Sequence, residues 1–339
     1  MRSENYHGFI LDEYVGSSDV SFNADLAIFM ASWESRAVHL ASQEVIKADQ
    51  AIVLSFSDAQ NNYRPSPSQL GLRGIDLKNI DLGSHYKIQE AIEAFLPSLI
   101  KQKSFHFGRV FIDITCMPKF LAQYLVLELV KSKVISELIL GYTSGRYLHD
   151  ASDGGVYDQG IQGYLSLPHT ANVGISTRKG GIAALGADER LIGDYFTNEA
   201  GFDEHFLIAA DGAKNASVDE KVQNQTLSLA RKFHLSDAHI KSVSPSSFLR
   251  CLDAYEDFLE ANTEIDSWDV FCCGPKPHAI AACLAALRHD TVKLIGRVPS
   301  QYDTTNVEAG ETISLLRIID ATSPAISRVK EIQSPFRMK

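Results

Sequence analysis

Short apolar runs alternate with amphipathic stretches along most of the chain. Residues 26–31 form a continuous apolar run of the length that buried parallel strands have. Residues 118–133 are strongly apolar too, but they are long enough for a helix, and Pro118 suits a first helical turn because its missing N–H needs no partner there. Strands that alternate with helices in this way predict a mostly parallel sheet with right-handed crossovers.

The same reasoning divides the whole chain into strands and helices. Strands are predicted at residues 26–31, 51–56, 109–114, 136–142, 163–167, 181–185, 205–210, 268–273, 292–295 and 312–319. Helices are predicted at residues 34–47, 86–102, 118–133, 191–196, 219–233, 245–260 and 277–287. Residues 57–75, rich in Asn, Pro, Ser and Gly, are predicted as a loop. The predicted fold class is therefore α/β.

The second half of this pattern repeats the first. Glu189 follows a predicted strand as Glu34 does, and it lies 155 residues after Glu34. The segments 141–147 and 296–302 are related by the same offset. Self-similarity at a fixed spacing indicates duplicated structural units. We therefore predict two tandem Rossmann-like domains with mostly parallel sheets, related by internal duplication.

The repeat also sets the predicted domain boundaries. In chain order we expect an N-terminal extension, a first Rossmann-like domain, a linker, a second Rossmann-like domain and a C-terminal tail. Their respective bounds are residues 1–25, 26–168, 169–180, 181–320 and 321–339.

The composition is that of a globular protein, with 45% apolar and 22% charged residues. The formal net charge of −10 argues against broad binding to duplex nucleic acid or to an anionic membrane, because such binding needs a basic face. No apolar stretch approaches the length of about 18 residues that a membrane-spanning helix needs, and the N-terminus is too polar for a signal peptide. We therefore expect a cytoplasmic protein that contacts neither duplex nucleic acid nor a membrane.

The cysteines and histidines give no metal-binding pattern. The five cysteines are scattered, and the adjacent pair Cys272 and Cys273 lies in an apolar run without the spaced pairs that zinc sites use. The eleven histidines form no HxH, HxxxH or HExxH group. We expect reduced thiols packed in the core, no metal site and no cofactor.

Polar residues follow the predicted strands, where ligands bind to open parallel sheets. The predicted ligand-binding residues of the first copy are Ser32, Glu34, Arg36, Ser55, Asp113, Thr115, Lys119, Ser144 and Arg146. Those of the second copy are Glu189, Arg190, Gly274, Lys276 and Arg297. Lys119 and Lys276 each sit at a helix start beside backbone N–H groups, an arrangement that suits a phosphate.

Each of these residue types also has a purely structural use. Asp113 is placed to cap the helix that follows it. Glu34 and Arg36 are spaced as a charged pair within one helical turn, and lysines at a helix start are common on protein surfaces. The functional interpretation depends on several such residues meeting at one rim in both copies.

The segment Asp113-Ile-Thr115-Cys-Met-Pro-Lys119 resembles the Asp-x-Thr-x-Gly-x-Lys loop of CARF domains. Two such domains in one chain resemble the SAVED sensors of CBASS antiphage systems. Met117 stands where the CARF pattern has glycine, and the second copy lacks the Asp and the Thr.

The resemblance implies a sensor of cyclic oligonucleotide second messengers in prokaryotic defence. It implies phosphate contacts from Lys119 and Lys276, and hydrogen bonds to base or ribose from Ser32, Ser55 and Thr115. Arg146 and Arg297 would clamp a second phosphate or stack on a base. Because no effector segment accompanies the sensor, we expect a separate effector protein as partner, and the oligomeric state stays open, with a homo-oligomer among the alternatives.

Three other functions remain open at this point. The first is a ring nuclease in which Thr115 and Lys119 stabilise the transition state of ligand cleavage. The second is another nucleotide-processing enzyme with Glu34 or Asp113 as general base and Arg36 positioning a phosphate. The third is an interaction subunit, and fold alone does not decide among them.

Overall fold

A computed structural model describes most of the chain. It covers residues 1–16, 21–32, 34–43, 45–56, 76–81, 90, 108–133, 135–146, 161–168, 170, 177–186, 196, 201–212, 216–299 and 307–322. The strands are β1 (Arg2–Tyr6), β2 (Phe9–Val15), β3 (Phe22–Met30), β4 (Ile46–Ser55), β5 (Asp76–Asp81), β6 (Arg109–Asp113), β7 (Glu137–Arg146), β8 (Ile161–Ser166), β9 (Lys179–Leu185), β10 (Glu204–Ala210), β11 (Ile240–Val243), β12 (Ser267–Cys272), β13 (Val292–Pro299) and β14 (Glu308–Asp320). The helices are α1 (His39–Ser42), α2 (Lys119–Ser132), α3 (Ala216–Lys232), α4 (Phe248–Ala261) and α5 (Lys276–Arg288).

The strands form two largely parallel sheets, so the protein belongs to the α/β class as predicted. The first sheet has eight strands in the order β1-β2-β14-β7-β6-β3-β4-β5. The five neighbouring strands β7, β6, β3, β4 and β5 are parallel. Strand β2 pairs antiparallel with β1 on one side and with β14 on the other. The second sheet has six strands in the order β11-β10-β9-β12-β13-β8, in which β8 alone is antiparallel to its neighbour.

The parallel strands of both sheets follow one winding order. From β3 the first sheet grows to β4 and β5 on one side and then to β6 and β7 on the other. From β9 the second sheet grows to β10 and β11 on one side and then to β12 and β13 on the other. This is the doubly wound arrangement, in which the connections leave the central strands in opposite directions and open a crevice at their carboxyl ends.

The last strand of each sheet comes from the other half of the sequence. Strand β8, which the sequence pattern placed with the first copy, pairs with β13 in the second sheet. Strand β14, placed with the second copy, lies between β2 and β7 in the first sheet. The apolar pattern identified both strands but not their sheets, because strand periodicity reports which face is buried and not which neighbour is paired.

Two compact units result from this connectivity. The first comprises Met1–Cys116, Glu128–Ser144 and Ala309–Lys339, and the second comprises Met117–Leu127 and Gly145–Glu308. The first nine residues of α2 therefore belong to the second unit and its last turn to the first. The predicted extension, residues 1–25, contains β1, β2 and the start of β3.

The helix predicted over residues 34–47 is wrong. The chain instead forms a 3₁₀ turn at Ser35–Val38 and the single turn of α1, and β4 begins at Ile46. Side chains alternate between buried and exposed from Ile46 to Asp49, because β4 already pairs with β3 there. Strand pairing therefore overrides the local helical spacing.

Three other predicted segments fall largely outside the described residues. They are the loop at 57–75, the helix at 86–102 apart from residue 90, and the helix at 191–196 apart from Phe196.

Each sheet is covered by a packed apolar core. The first unit buries Phe29, Phe111 and Leu40 among many aliphatic side chains, and a Cβ on Gly141 would lie 2.7 Å from Leu40. The second unit packs Phe196 and Phe271 against its sheet. Within the described part of the chain, none of the helices has the length and apolarity needed to cross a bilayer.

Candidate functional site

The candidate site of the first unit lies at the carboxyl ends of β3 and β6, where the winding direction of the sheet reverses. Ser32 follows β3, and its Oγ accepts the backbone N–H of Glu34 at 3.2 Å. This bond turns the chain away from the strand. Ser32 itself is buried, and so is Ser55 at the end of the neighbouring β4.

Glu34 and Arg36 form an ion pair inside this unit. Arg36 donates from Nε to Glu34 at 2.5 Å and from Nη1 to the carbonyl of Thr143 at 3.3 Å. The Arg36 side chain is 7% exposed and that of Glu34 is 15% exposed. The pair is therefore not a solvated surface feature, and it connects the segment after β3 to the end of β7.

Asp113 and Thr115 stabilise the loop that follows β6. The carboxylate of Asp113 accepts the backbone N–H of Thr115 at 2.9 Å, and the hydroxyl of Thr115 accepts the backbone N–H of Thr143 at 3.0 Å. Both side chains are buried. The carboxyl groups of Glu34 and Asp113 and the guanidinium of Arg36 lie along this rim, so basic side chains are not in excess there.

Ser144 and Arg146 lie on β7 and make strand-to-strand contacts. Ser144 Oγ accepts the backbone N–H of Thr312 on β14 at 3.2 Å. Arg146 pairs with Glu308, the first residue of β14, and its side chain is 66% exposed. Solvent reaches both of these predicted ligand contacts, and Arg146 is the more exposed.

Lys119 lies at the start of α2, in the part that belongs to the second unit. Its Nζ donates to the carbonyl of Cys273, just after β12, at 3.0 Å. A lysine that follows β6 in the sequence is thus placed at the carboxyl edge of the second sheet. Sequence reasoning had assigned Lys119 to the rim of the first copy.

Gly274 lies at the closest approach between the ends of β9 and β12. A Cβ at this position would come within 2.8 Å of the backbone oxygen of Leu185. A Cβ on Gly186 would lie 3.2 Å from the Cys273 oxygen. The two backbones leave no room for side chains, which explains why glycine stands at both positions.

Lys276 opens α5 next to this turn and is partly exposed. The helix has Pro275 at its N-cap and no side-chain hydrogen bond that caps it. Its first turn also contains His278, which is buried. Glu189 and Arg190 lie outside the described residues, as does the side chain of Arg297, whose backbone belongs to β13.

Sequence reasoning missed Gln123 and His278. Gln123 is buried on α2, and its amide Nε2 donates to Cys272 Sγ and to the carbonyl of Ala279, both at 3.1 Å. His278 is buried on α5, with Nε2 placed 3.1 Å from the carbonyl of Ser244. The sequence signal that could have identified them is a polar residue inside a strongly apolar helix, because a buried polar side chain needs a hydrogen-bond partner.

Burial controls the protonation of this second-unit cluster. Desolvation lowers the pKa of His278 to about 4, against a smaller opposing effect of its bond to Ser244, and the charge of Lys119 lowers it further. The imidazole is therefore neutral at pH 7, with its proton on Nε2 facing the carbonyl. Desolvation also raises the pKa of the Cys272 thiol to about 11, although Gln123 and Lys119 act in the opposite direction.

All five cysteines are free thiols. Cys116 and Cys272 are partly exposed, and Cys251, Cys273 and Cys283 are buried. Desolvation raises the pKa of the buried Tyr255 well above its usual value, and the four cysteines of the second unit raise it further. Across the described ranges, no group of three or more His, Cys, Asp or Glu side chains is arranged to hold a metal ion.

No protein-family model and no curated protein sequence matches the chain. It is similar to a solved protein of unknown function from Pseudomonas aeruginosa, with 9% identity, a TM-score of 0.22, and coverage of 81% of this chain and 93% of that chain. A putative universal stress protein from the same species gives 9% identity, a TM-score of 0.22, and coverage of 81% and 94%. A UDP-GlcNAc 2-epimerase from Neisseria meningitidis, bound to UDP-GlcNAc, gives 12% identity, a TM-score of 0.21, and coverage of 72% and 76%.

These are distant similarities among α/β folds, and they assign no family. The fold follows from the strand order itself. The chain is an α/β protein with two largely parallel sheets, each wound in the Rossmann-like order.

Proposed function

We propose that this protein binds a nucleotide-like anionic ligand, a cyclic oligonucleotide second messenger, and signals to a partner effector protein in prokaryotic antiphage defence. The observation that carries the proposal is the winding order. In both sheets the winding direction reverses at the central strands, and the carboxyl ends of the strands at such a point are where doubly wound folds bind nucleotides. Two such sites would suit a ligand that carries repeated phosphates and bases.

The charged side chains differ between the two candidate sites, and they support different contacts with such a ligand. In the first unit, Glu34 offsets the charge of Arg36, and hydroxyl and backbone groups surround the pair. In the second unit, Lys119 and Lys276 bring two positive charges to the start of α5. The second unit therefore favours a phosphate, and the first favours base or ribose.

The loop from Asp113 to Lys119 supports the sensor class. Its resemblance to the CARF pattern is in residue type and in position, because the loop joins β6 to α2 beside the central strand. The partner effector follows from the same resemblance. The net charge of −10 argues against duplex nucleic acid, whereas a small anion needs only a few basic side chains nearby.

Isothermal titration calorimetry with cyclic di-, tri-, tetra- and hexanucleotides tests the proposal, with linear oligoadenylates as a ligand control. We expect one ring size to bind and the linear forms to bind weakly or not at all. Lys276→Met should weaken binding by roughly tenfold, the usual loss for one charge-assisted hydrogen bond. Lys47→Met is the matched control, because Lys47 is exposed at the amino end of β4, the opposite edge of its sheet.

The outcomes separate the proposal from its alternatives. Absence of heat with every cyclic ligand contradicts it. The ligand is also recovered after incubation and analysed by chromatography, and a sensor returns it intact. A linear product that disappears in Lys119→Ala would assign the protein as a ring nuclease instead.

A further inference from the structure

The turn that joins β12 to α5, residues 273–275, has little to hold it from within. Gly274 carries no side chain and has no space for one. Pro275 at the N-cap offers no side-chain hydrogen bond, and its carbonyl accepts the N–H groups of both His278 and Ala279. Hydrogen bonds from other elements can therefore add to the backbone bonds that hold this turn.

Two side chains of α2 form such hydrogen bonds. Lys119 and Gln123 are four residues apart, so they project from the same face of the helix. Lys119 holds the carbonyl of Cys273, inside the turn, at 3.0 Å. Gln123 donates hydrogen bonds to Cys272 before the turn and to Ala279 after it, so α2 is bonded to both sides of the turn.

The three bonds differ in strength, because two of them reach carbonyl oxygens and the third reaches a thiol sulfur, which is a weak acceptor. The Lys119 bond is charge-assisted, and such bonds exceed neutral ones by about twofold. Gln123 is buried, and both hydrogens of its amide are used. Ala279 lies inside α5, where helical bonding also serves its carbonyl, so removing the amide costs about the net contribution of one buried hydrogen bond.

We propose that Lys119 and Gln123 form a positioning clamp for the turn, and that Lys119 acts through the Cys273 carbonyl rather than as a ligand contact. Only the functional consequence of the clamp rests on the proposed function. That consequence is that the clamp holds Lys276 and the start of α5 in position to bind an anionic group. The two lysines that sequence reasoning treated as equivalent thus have different roles. Lys276 contacts the ligand, and Lys119 positions the turn.

Hydrogen exchange measured by mass spectrometry tests the clamp without any ligand. The readout is the exchange rate of the peptide that covers residues 272–280 in the full-length protein. We expect Lys119→Met and Gln123→Met each to raise that rate on the order of tenfold, because the turn opens more often. Lys119→Arg keeps a cationic donor and should restore most of the protection.

A control variant makes the result specific. Lys131→Met removes an exposed lysine from the last turn of α2 and should leave the exchange of this peptide as in the wild type. Far-UV circular dichroism of every variant establishes whether it is folded. If Lys119→Met does not fold, Gln123→Met alone tests the clamp.

Ligand titration at several NaCl concentrations then distinguishes a residue that positions the turn from a residue that contacts the ligand directly. Loss of a direct phosphate contact reduces the salt dependence of the dissociation constant, whereas loss of a positioning residue weakens binding without that reduction. We expect Lys276→Met to show the first behaviour and Lys119→Met the second. The cyclic oligonucleotide that binds in calorimetry is the probe.

The results distinguish failure of the clamp from failure of the proposed function. Unchanged exchange in Lys119→Met and Gln123→Met overturns the clamp, whatever binds. Faster exchange with no binding of any cyclic probe supports the clamp and rejects the proposed ligand. Reduced salt dependence in Lys119→Met, with unchanged exchange, would make Lys119 a direct ligand contact.

Discussion

Arg36 shows how a charged side chain is retained inside this fold. Its guanidinium joins Glu34 to the carbonyl of Thr143, so one side chain ties the segment after β3 to the end of β7. The planar guanidinium suits this use because its donors point in several fixed directions. A residue predicted to contact ligand is therefore already engaged in holding the crevice together.

Arg36→Met should destabilise the protein strongly. It leaves the Glu34 carboxylate without its cation in a largely buried position, and we expect a loss of about 3 kcal/mol in the free energy of unfolding. Urea denaturation followed by circular dichroism measures it. Arg146→Met, which breaks the exposed pair with Glu308, should cost less than about 0.5 kcal/mol, and equal losses in the two variants would refute a buried structural role for Arg36.

Gly274→Ala tests the contact between the ends of β9 and β12. The added methyl group would meet a backbone oxygen at 2.8 Å, and backbone cannot move aside as a flexible side chain does. We expect a loss of about 1–3 kcal/mol in the free energy of unfolding. Gly163→Ala is the control, because a Cβ there meets nothing within 4 Å, and a loss as large in that variant would contradict the steric explanation.

His278 makes stability depend on pH. Its pKa is lowered to about 4 in the folded protein from 6.5, so below pH 6.5 the unfolded chain binds a proton that the folded chain does not. The stabilisation is complete above pH 6.5 and is lost as the pH falls towards 4, by up to about 3 kcal/mol. His278→Gln keeps an N–H for the Ser244 carbonyl but does not titrate.

The variant should therefore lose less stability than the wild type between pH 6.5 and 4, as measured by urea denaturation across that range. Some pH dependence will remain, because burial also lowers the pKa values of His39 and His205. Identical pH profiles for variant and wild type would exclude His278 as a source of the dependence.

At the scale of elements, α4 illustrates how a local sequence signal sets a boundary. Ser247 is the N-cap, and its hydroxyl accepts the N–H of Arg250 at 3.2 Å. The helix then buries Phe248, Leu252 and Phe258 on one face. The predicted helix at 245–260 was therefore correct within three residues at its start, because the cap and the apolar stripe agree.

Ser247→Ala should lower the free energy of unfolding by about 1 kcal/mol, the usual effect of losing an N-cap side chain. Thermal denaturation detects a change of this size. Ser242→Ala, an exposed position on β11, provides the comparison and should have no measurable effect. A null result at Ser247 would mean that packing alone determines where α4 begins.

The elements that sequence reasoning predicted well are those whose local pattern and tertiary packing coincide. Strands β6, β10 and β12 begin and end within one residue of their predicted bounds, and α2 and α5 are similarly close. The helix at 34–47 failed because the pairing of Ile46 with β3 competed with helical spacing. Local spacing does not contain that pairing information.

The candidate site was predicted less completely than the elements. The carboxyl ends of the strands identified the rim, and Asp113, Thr115 and Arg36 do lie there. Their burial and mutual bonding were not predictable, because both depend on distant residues such as Thr143. The contact of Lys119 with Cys273 spans 154 residues and is visible only in three dimensions.

At the scale of the whole molecule, the exchange of β8 and β14 makes the two halves of the sequence interdependent. The first sheet needs β14 between β2 and β7, and the second sheet needs β8 beside β13. The second unit also takes residues 117–127 from the first half. Each unit is thus completed by segments from both halves of the sequence, and neither half of the chain contains a whole unit.

Separating the halves at the predicted linker tests this interdependence. Fragments 1–168 and 181–339 should each have low secondary structure or aggregate when produced alone, because each lacks a strand of its sheet and leaves edges unpaired. Refolded together, they should form a soluble complex with the circular dichroism of the intact chain. Two fragments that fold cooperatively and separately would mean that the exchanged strands are dispensable.

A rearranged chain supplies the matched comparison. Residues 1–146 followed by a Gly-Ser linker and residues 307–322 carry every strand of the first sheet, whereas the fragment 1–146 lacks only β14. The rearranged chain should therefore unfold more cooperatively in urea than the fragment does. Because the two share β1 to β7, the difference measures what β14 contributes to the first sheet, and equal unfolding curves would show that strand order alone does not define the folding unit.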